Sequence, residues 1–142
     1  MRLATRQKKR NFVQWRDLFT PRKHIIMDLY GIANCATVKK ARVWLDEQHI
    51  AYTFHDFKKT PPTPEWIAGC LQQVGLDVLL NKRGTTWRKL TPEQQAQAQT
   101  TEGAIALMCE YPSVIKRPVC LHQSRVYVGF SPEQYQQMVQ AA

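Results

Sequence analysis

The order of hydrophobic periodicities between residues 25 and 57 restricts the fold more than any other feature of the sequence. Residues 25–32 form an apolar, β-prone run interrupted only by Asp28, which predicts a buried strand. Between residues 37 and 48, Val38, Ala41 and Leu45 recur at helical spacing. Residues 51–57 alternate aromatic and polar side chains, as a second strand does. This order predicts a βαβ unit with a parallel strand pair and a right-handed crossover.

The same helix-start signal occurs three times in the rest of the chain, at Thr63-Pro64-Glu65, Thr91-Pro92-Glu93 and Ser131-Pro132-Glu133. Each supplies a hydroxyl N-cap, a proline suited to the first helical position and a carboxylate near the positive helix end. We therefore expect a helix to begin at each of these sites. A further helix is expected over residues 102–110, ended by Pro112.

Two short β-prone runs, at residues 118–121 and 125–128, precede the last of these helices. The polar residues between them predict an antiparallel hairpin. The complete order is then βαβ, a helical block and ββα. It predicts an α/β protein with a thioredoxin-like fold over residues 27–142, with a helical insertion at about residues 60–112 between the two halves.

The positive charge of the chain is concentrated at its beginning. The net charge is +9, but residues 1–26 contain eight basic side chains and one acidic, which gives +7. The remaining 12 basic and 10 acidic side chains give +2. A basic N-terminal extension of this kind suits nucleic acid or anionic lipid, so we expect no nucleic-acid binding except through residues 1–26. Because Met27 stands directly before the first predicted strand, a misassigned start is the alternative interpretation.

Several function classes are disfavoured by the sequence. No apolar run approaches the roughly 18 residues of a membrane span, and the opening segment lacks the apolar core of a secretion signal. The four cysteines lie at least eleven positions apart, which excludes a CxxC pair and the usual zinc spacing. We therefore expect a cytoplasmic monomer with no disulfide framework, no bound metal and no membrane association.

Cys35 is the residue that points most directly to chemistry. It lies between the first predicted strand and the first predicted helix, and Lys39 and Lys40 follow it. A helix N-terminus with cations nearby favours the thiolate, which is the nucleophilic form of cysteine. Cys70 and Cys109 instead fall in apolar, helix-patterned surroundings and are interpreted as buried apolar residues. The role of Cys120 stays open.

Three separated motifs, in the runs 30–37, 79–90 and 115–118, resemble the arsenate-reductase-related (ArsC) family. The similarity is closest to its YffB-type thiol reductases, covers essentially residues 27–140 and does not extend to residues 1–26. It implies that Cys35 is the nucleophile and that Arg117 precedes a cis proline, Pro118, beside the thiol. Arg117 would present an anion-binding fork to the substrate. The resemblance implies some of the substrate- or anion-binding residues, and charge and position favour the others. Together they are Arg117, Pro118, Asn34, Thr37, Lys39, Arg83 and Arg88.

Differences from the family pattern modify this expectation. Val38 stands where arsenate-reducing members have a serine and where Spx-type regulators have a second cysteine. Asn81 and Gly129 stand where the arsenate-reducing members have two oxyanion-binding arginines. Without a local resolving thiol, Cys35 would need an external one, and the resemblance implies glutathione as co-substrate, with glutaredoxin as a further partner. The stretch 83–88 is interpreted equally as an anion-binding loop or as a turn between helices.

The sequence therefore predicts a monothiol, glutathione-dependent thiol-disulfide oxidoreductase with no bound cofactor. Two alternatives stay open. One is an arsenate reductase linked to glutathione or glutaredoxin, and the other is a non-catalytic, Spx-like regulator that binds RNA polymerase. The four histidines show no metal-ligand spacing, and the predicted fold places none of them beside Cys35.

Overall fold

A four-stranded mixed sheet forms the centre of the protein in a computed structural model that describes residues 27–140. The strands are β1 (Met27–Gly31), β2 (Thr53–Asp56), β3 (Val119–His122) and β4 (Arg125–Val128), in the spatial order β2-β1-β3-β4. β1 and β2 are parallel, whereas β1–β3 and β3–β4 are antiparallel. This arrangement confirms the predicted thioredoxin-like topology. The basic extension and residues 25–26 of the first predicted strand lie outside the described residues.

The longer helices occur where the sequence pattern predicts them, and two short ones lie within the predicted helical block without having been predicted individually. Two belong to the βαβ and ββα halves, and the others fill the space between the halves. In chain order they are α1 (Ala36–Glu47), α2 (Pro64–Val74), α3 (Leu76–Leu79), α4 (Thr85–Lys89), α5 (Pro92–Ala96), α6 (Thr101–Glu110) and α7 (Pro132–Gln140), with short 3₁₀ turns at Gln97–Gln99 and Pro112–Val114.

Hydroxyl side chains cap the three helices that were predicted to begin with a Thr/Ser-Pro-Glu signal. The Oγ1 of Thr63 accepts from the Trp66 amide at 3.2 Å. Thr91 forms a capping box with Gln94, in which each side chain bonds the other residue's backbone amide. Ser131 accepts from the Gln134 amide at 3.1 Å. These bonds satisfy amides that a helix start otherwise leaves unpaired, so each start is determined locally.

The sheet is covered on both faces, and each face has its own core. The alternation along β1 and β3 places Leu29 and Cys120 against α1 and α7, around buried Tyr135. The opposite face carries Val119 and the helices between residues 64 and 110. The inserted helices therefore form the second layer of the fold.

The insertion also contacts the chain segment that leads to Arg117. The Asn81 amide donates to the Val114 carbonyl at 2.8 Å, and the Lys116 amide donates to the Leu79 carbonyl at 2.8 Å. Leu80 and Ile115 form an isolated antiparallel bridge between these bonds. The position of the backbone before Arg117 is thus fixed by the end of α3.

Candidate active site

Cys35 is the N-cap residue of α1, with extended backbone angles (φ −82°, ψ 129°). Its carbonyl accepts the first helical hydrogen bond from the Lys39 amide at 2.9 Å, and its own amide donates to the Ile32 carbonyl at 3.1 Å. The side chain is half-buried. The backbone of Cys35 is therefore fixed by hydrogen bonds on both sides, at the helix end where the unpaired amides point outward.

The tight fit of β1 against α1 explains how this position is fixed. Val38 is fully buried in the first turn of α1. A Cβ atom placed on Gly31 would lie only 2.7 Å from Val38 Cγ2, which is closer than a real contact allows. Glycine at position 31 thus lets the helix start approach the strand end, and this approach positions Cys35.

Opposing effects act on the Cys35 thiol. Burial disfavours the thiolate, but the amides of Val38 and Thr37 and the Arg117 guanidinium favour it, and together they lower the pKa of Cys35 below its ordinary value. The neutral thiol makes no capping hydrogen bond. The amides nevertheless lie where a thiolate sulfur would accept from them. Arg117 acts both as a hydrogen-bond donor and as a positive charge.

Arg117 is itself held in place by the backbone of its own loop. Its Nη1 donates to the Ser113 carbonyl at 2.6 Å and to the Ile115 carbonyl at 3.2 Å. The peptide bond between Arg117 and Pro118 is cis, as the resemblance implies. The 3₁₀ turn and the loop that follows it thereby direct the guanidinium toward Cys35.

The other three cysteines differ from Cys35 in their electrostatics. Burial raises the pKa of Cys70 to about 11 and that of Cys120 to about 12. Burial also raises the pKa of Cys109, and the nearby Glu65 carboxylate adds to the effect. Cys35 is therefore the one cysteine of the four whose surroundings favour the thiolate.

The structure does not bring all of the predicted binding residues to the sulfur. Asn34 and Lys39 are exposed beside Cys35, whereas Thr37 is half-buried and contributes its amide. Arg83 and Arg88 are exposed on or before α4, and within residues 27–140 neither guanidinium forms an ion pair. The stretch 83–88 is largely the five-residue helix α4, which begins after its N-cap, Gly84. Neither an anion-binding loop nor a simple turn between helices describes this backbone, because its last four residues are helical.

Lys116 is a residue of the site region that the sequence analysis missed. A Cβ atom on Gly129 would lie 3.5 Å from Lys116 Cε and 4.0 Å from its Nζ. Gly129 has a φ of +83°, and its amide donates to the Pro118 carbonyl at 2.8 Å. The ammonium of Lys116 thus lies over the turn between β4 and α7, close to the cis proline. Its place directly before Arg117-Pro118 was the available sequence signal.

A second cluster that the sequence did not reveal lies between β1, β2 and α2. The His55 and Tyr30 rings stack with centroids 4.4 Å apart, and His55 Nε2 contacts Asp28 Oδ1 at 2.8 Å. Tyr30 also packs against Trp66, with ring centroids 4.7 Å apart. This cluster joins the edge of the sheet to the inserted helices. In the part of the chain that is described, no group of three or more His, Cys, Asp or Glu side chains is arranged to hold a metal ion.

None of the helices between residues 27 and 140 combines the length and the apolar character that a membrane crossing requires.

Comparison with known proteins places the chain among relatives of similar length. An uncharacterized protein of Haemophilus influenzae is 38% identical over 111 residues, which cover 78% of this chain and 96% of that protein. The Global transcriptional regulator Spx 1 of Bacillus cereus is 25% identical over 111 residues, covering 77% of this chain and 83% of the regulator.

Two solved structures are also similar. A protein described as YffB is 43% identical, with a TM-score of 0.76 over 80% of this chain and 98% of its own. An arsenate reductase (ArsC) related protein from Brucella melitensis is 40% identical, with a TM-score of 0.64 over 80% of this chain and 94% of its own. The model of the ArsC family matches residues 30–138. The chain belongs to the ArsC family.

Proposed function

We propose that the protein is a monothiol thiol-disulfide oxidoreductase that uses Cys35 as its nucleophile and glutathione as its co-substrate. The observation that carries the proposal is the pairing of an activated Cys35 with a fully buried Val38 three residues later. The first feature supplies a nucleophile, and the second leaves that nucleophile without a resolving cysteine in the same helix. Membership of the ArsC family supports a reaction based on a thiol.

The first step is a thiol-disulfide exchange. The Cys35 thiolate attacks the glutathione sulfur of a mixed disulfide between glutathione and a substrate thiol. A bond forms between Cys35 Sγ and the glutathione sulfur, and the substrate leaves as its thiolate, which then takes a proton from solvent. The Arg117 guanidinium and the amides of α1 stabilise the thiolate before the attack.

The second step regenerates the enzyme. A second glutathione, as its thiolate, attacks the glutathione sulfur attached to Cys35, so that oxidised glutathione is released and the Cys35 thiolate returns. Each turnover therefore converts the mixed disulfide and one reduced glutathione into the free substrate thiol and oxidised glutathione. Cys70 and Cys120 are buried thiols with raised pKa values, which makes them poor internal competitors for this step.

Charge around Cys35 suits a ligand with two carboxylates. The Arg117 guanidinium lies at the sulfur of Cys35, and Lys39 lies four residues after Cys35, on α1. We assign the glutathione carboxylates to Arg117 and Lys39, with Asn34, Thr37 and Pro118 lining the peptide and with Arg83 and Arg88 as more distant cations. A reaction that consumes reduced glutathione requires a reducing compartment, so we place the protein in the cytoplasm.

A coupled assay tests this proposal. The substrate is the mixed disulfide of glutathione and 2-mercaptoethanol, and the formation of oxidised glutathione is followed for the wild-type protein and for Cys35→Ser. We expect turnover by the wild type and none by the variant. Turnover of arsenate, with none of the mixed disulfide, would instead support the arsenate reductase alternative. Equal rates for the two proteins would overturn the role of Cys35.

The similarity to Spx 1 favours one second candidate, a regulator that binds RNA polymerase. Such a role needs a surface rather than a nucleophile, so it predicts capture of the polymerase by the full chain whether residue 35 is cysteine or serine. Affinity capture with purified polymerase separates the two functions. An equally strong complex with Cys35→Ser, combined with absent disulfide turnover, would favour the regulator.

A further inference from the structure

An apolar groove of about 420 Å³ lies between α1 and the start of α7. Val43, Trp44, Phe130 and Pro132 contribute to its lining. Trp44 and Phe130 meet with ring centroids 6.5 Å apart. Val43 is 54% exposed, and among residues 27–140 the other exposed large hydrophobic side chain is Val78 on α3. We call this surface the α1–α7 groove.

The α1–α7 groove is electrically asymmetric. Lys39 and Lys40 line it at the N-terminal end of α1, the end that carries Cys35, and Glu47 lines it at the opposite end of the helix. Lys116 adds a third cation over Gly129, directly before Phe130. Positive charge therefore lies on the part of the groove nearest to the reactive sulfur.

We propose that the α1–α7 groove docks a protein substrate through an extended, acidic segment next to the substrate's reactive cysteine. The inference rests on the proposed function and specifies its substrate class as proteins that carry a glutathionylated cysteine. The acidic side chains face Lys40 and Lys116, and one apolar side chain covers Val43 and Trp44. Charge complementarity selects this occupant.

The spacing of the groove fixes where that apolar side chain must be. Val43 follows Cys35 by eight residues, which is about 12 Å along the axis of α1. An extended segment covers about 12 Å with roughly four residues. The substrate should therefore carry its apolar side chain about four residues from the cysteine that reacts.

Other occupants fit the charges less well. Residues 1–26 of this chain carry eight basic side chains and one acidic, so the lysines of the groove repel them. A second copy of the chain would present the same lysines to its partner. Free glutathione is a tripeptide and has no side chain for the apolar part of the groove.

A peptide assay tests the inference with the full-length protein. One glutathionylated peptide carries leucine four residues from its cysteine and two glutamates between them, and a matched peptide has glutamine in place of both glutamates. The small mixed disulfide of glutathione and 2-mercaptoethanol serves as the third substrate. We expect kcat/KM for the acidic peptide to exceed that for the glutamine peptide roughly tenfold, since its two glutamates each form one surface charge pair.

Substitutions locate the effect in the groove. We expect Val43→Asp and Lys40→Glu each to lower kcat/KM for the acidic peptide by roughly tenfold relative to the small disulfide, mainly through KM. Val78→Asp is the matched control, since Val78 is 44% exposed on α3, and it should leave all three substrates unaffected.

The outcomes distinguish the failure of this inference from that of the proposed function. Wild-type protein without activity on the small disulfide would contradict the proposed function. Activity on the small disulfide with equal kcat/KM for both peptides would overturn the docking inference alone. An increase in peptide activity with Val43→Asp would show that the chain occupies its own groove, and loss of a dimer in sedimentation of that variant would make the groove a self-interface. Either result overturns the inference.

Discussion

At the scale of single residues, the chemistry of Cys35 depends on a small number of neighbours. Burial raises its pKa, while the amides of Val38 and Thr37 and the guanidinium of Arg117 lower it by more. Arg117 is held by two carbonyls of its own loop, at 2.6 Å and 3.2 Å. Because the loop orients the guanidinium, its charge lies at the sulfur, and no carboxylate within residues 27–140 forms an ion pair with it.

Arg117→Gln should raise the pKa of Cys35, since the variant loses both a hydrogen bond and a positive charge at the thiolate. A thiol with a lowered pKa reacts at lower pH and loses reactivity as the pH falls through that pKa. At pH values between the Cys35 pKa of the wild type and that of the variant, the variant should therefore react more slowly than the wild type. The rate of alkylation against pH measures this, with Cys35→Ser as the blank. An identical midpoint in Arg117→Gln would contradict the assigned role of Arg117.

Val38→Cys should convert the monothiol into a dithiol. Positions 35 and 38 are neighbours on one helix face, so mild oxidation should give an internal disulfide in place of a stable glutathione adduct. Val43→Cys is the control, because it lies about 12 Å along the same helix and cannot reach Cys35. Mass spectrometry of the oxidised proteins measures the difference. A persistent glutathione adduct on both variants would contradict the account of Val38.

At the scale of elements, the junction of β1 and α1 determines where the sulfur lies. Gly31 ends β1 directly below Val38, and the absence of a Cβ permits their approach. This contact connects the strand end to the capping position of the helix. A change in the packing of Gly31 against Val38 should therefore alter the reactivity of Cys35.

Gly31→Ala should destabilise the protein by about 1–3 kcal/mol, as overpacked core positions do. It should also raise the pKa of Cys35, because displacement of Val38 moves the amides that favour the thiolate. The double variant Gly31→Ala, Val38→Ala should recover part of both effects, since it removes the side chain that a Cβ at residue 31 would meet. Urea unfolding and thiol titration measure the two quantities. Independent, additive effects of the two substitutions would contradict a direct contact.

The inserted helix α2 also protects an edge of the sheet. Gln73 Nε2 donates to the Ser124 carbonyl at 2.8 Å, and its Oε1 accepts from the Val126 amide at 2.9 Å. This pair of bonds occupies the main-chain groups of β4 and of the hairpin turn before it, where another strand would otherwise pair.

Gln73→Leu should lower the free energy of unfolding by about 1–2 kcal/mol, because two hydrogen bonds to the backbone are lost at a partly solvated site. Gln72→Leu is the matched control, since it is the neighbouring exposed glutamine of the same helix. Urea unfolding measures both variants. Equal stability of the two variants would show that the two hydrogen bonds of Gln73 do not contribute to the free energy of unfolding.

The sequence predicted the elements well because their signals are local. Each hydroxyl N-cap lies within three residues of the amide that it caps, as at Thr63 and Thr91. The position of Cys35 at a helix start was predicted for the same reason, since its place between a strand and a helix is visible in the sequence. The position of Lys116 over Gly129 and the stacking of Tyr30 on His55 depend on tertiary contacts between distant segments. No local pattern encodes such contacts.

Two of the predicted site residues, Arg83 and Arg88, were chosen by their charge and by the residues that they flank. Arg83 and Arg88 were expected near the substrate because they flank a glycine and two threonines, but that stretch forms the short helix α4 with both side chains exposed. The spacing of residues in such a segment does not predict in which direction a long, exposed arginine side chain points. Their assignment as distant cations therefore stays a prediction.

At the scale of the whole molecule, the two layers over the sheet supply different parts of the site. α1 and α7 pack on one face and contribute Cys35 and the α1–α7 groove. The inserted helices pack on the other face and fix the segment before Arg117 through its bonds to Leu79 and Asn81. The thiol and its activating arginine thus meet at one end of the sheet, and the insertion is part of how they meet.

Incubation with oxidised glutathione, followed by mass spectrometry of the intact and digested protein, tests the central claim most directly. We expect a single glutathione adduct, located on Cys35, that forms at neutral pH and is removed completely by reduced glutathione. Cys35→Ser should acquire no adduct under the same conditions. An adduct on Cys70, Cys109 or Cys120, an internal disulfide that includes Cys35, or an adduct on Cys35 that reduced glutathione does not remove would contradict the monothiol mechanism.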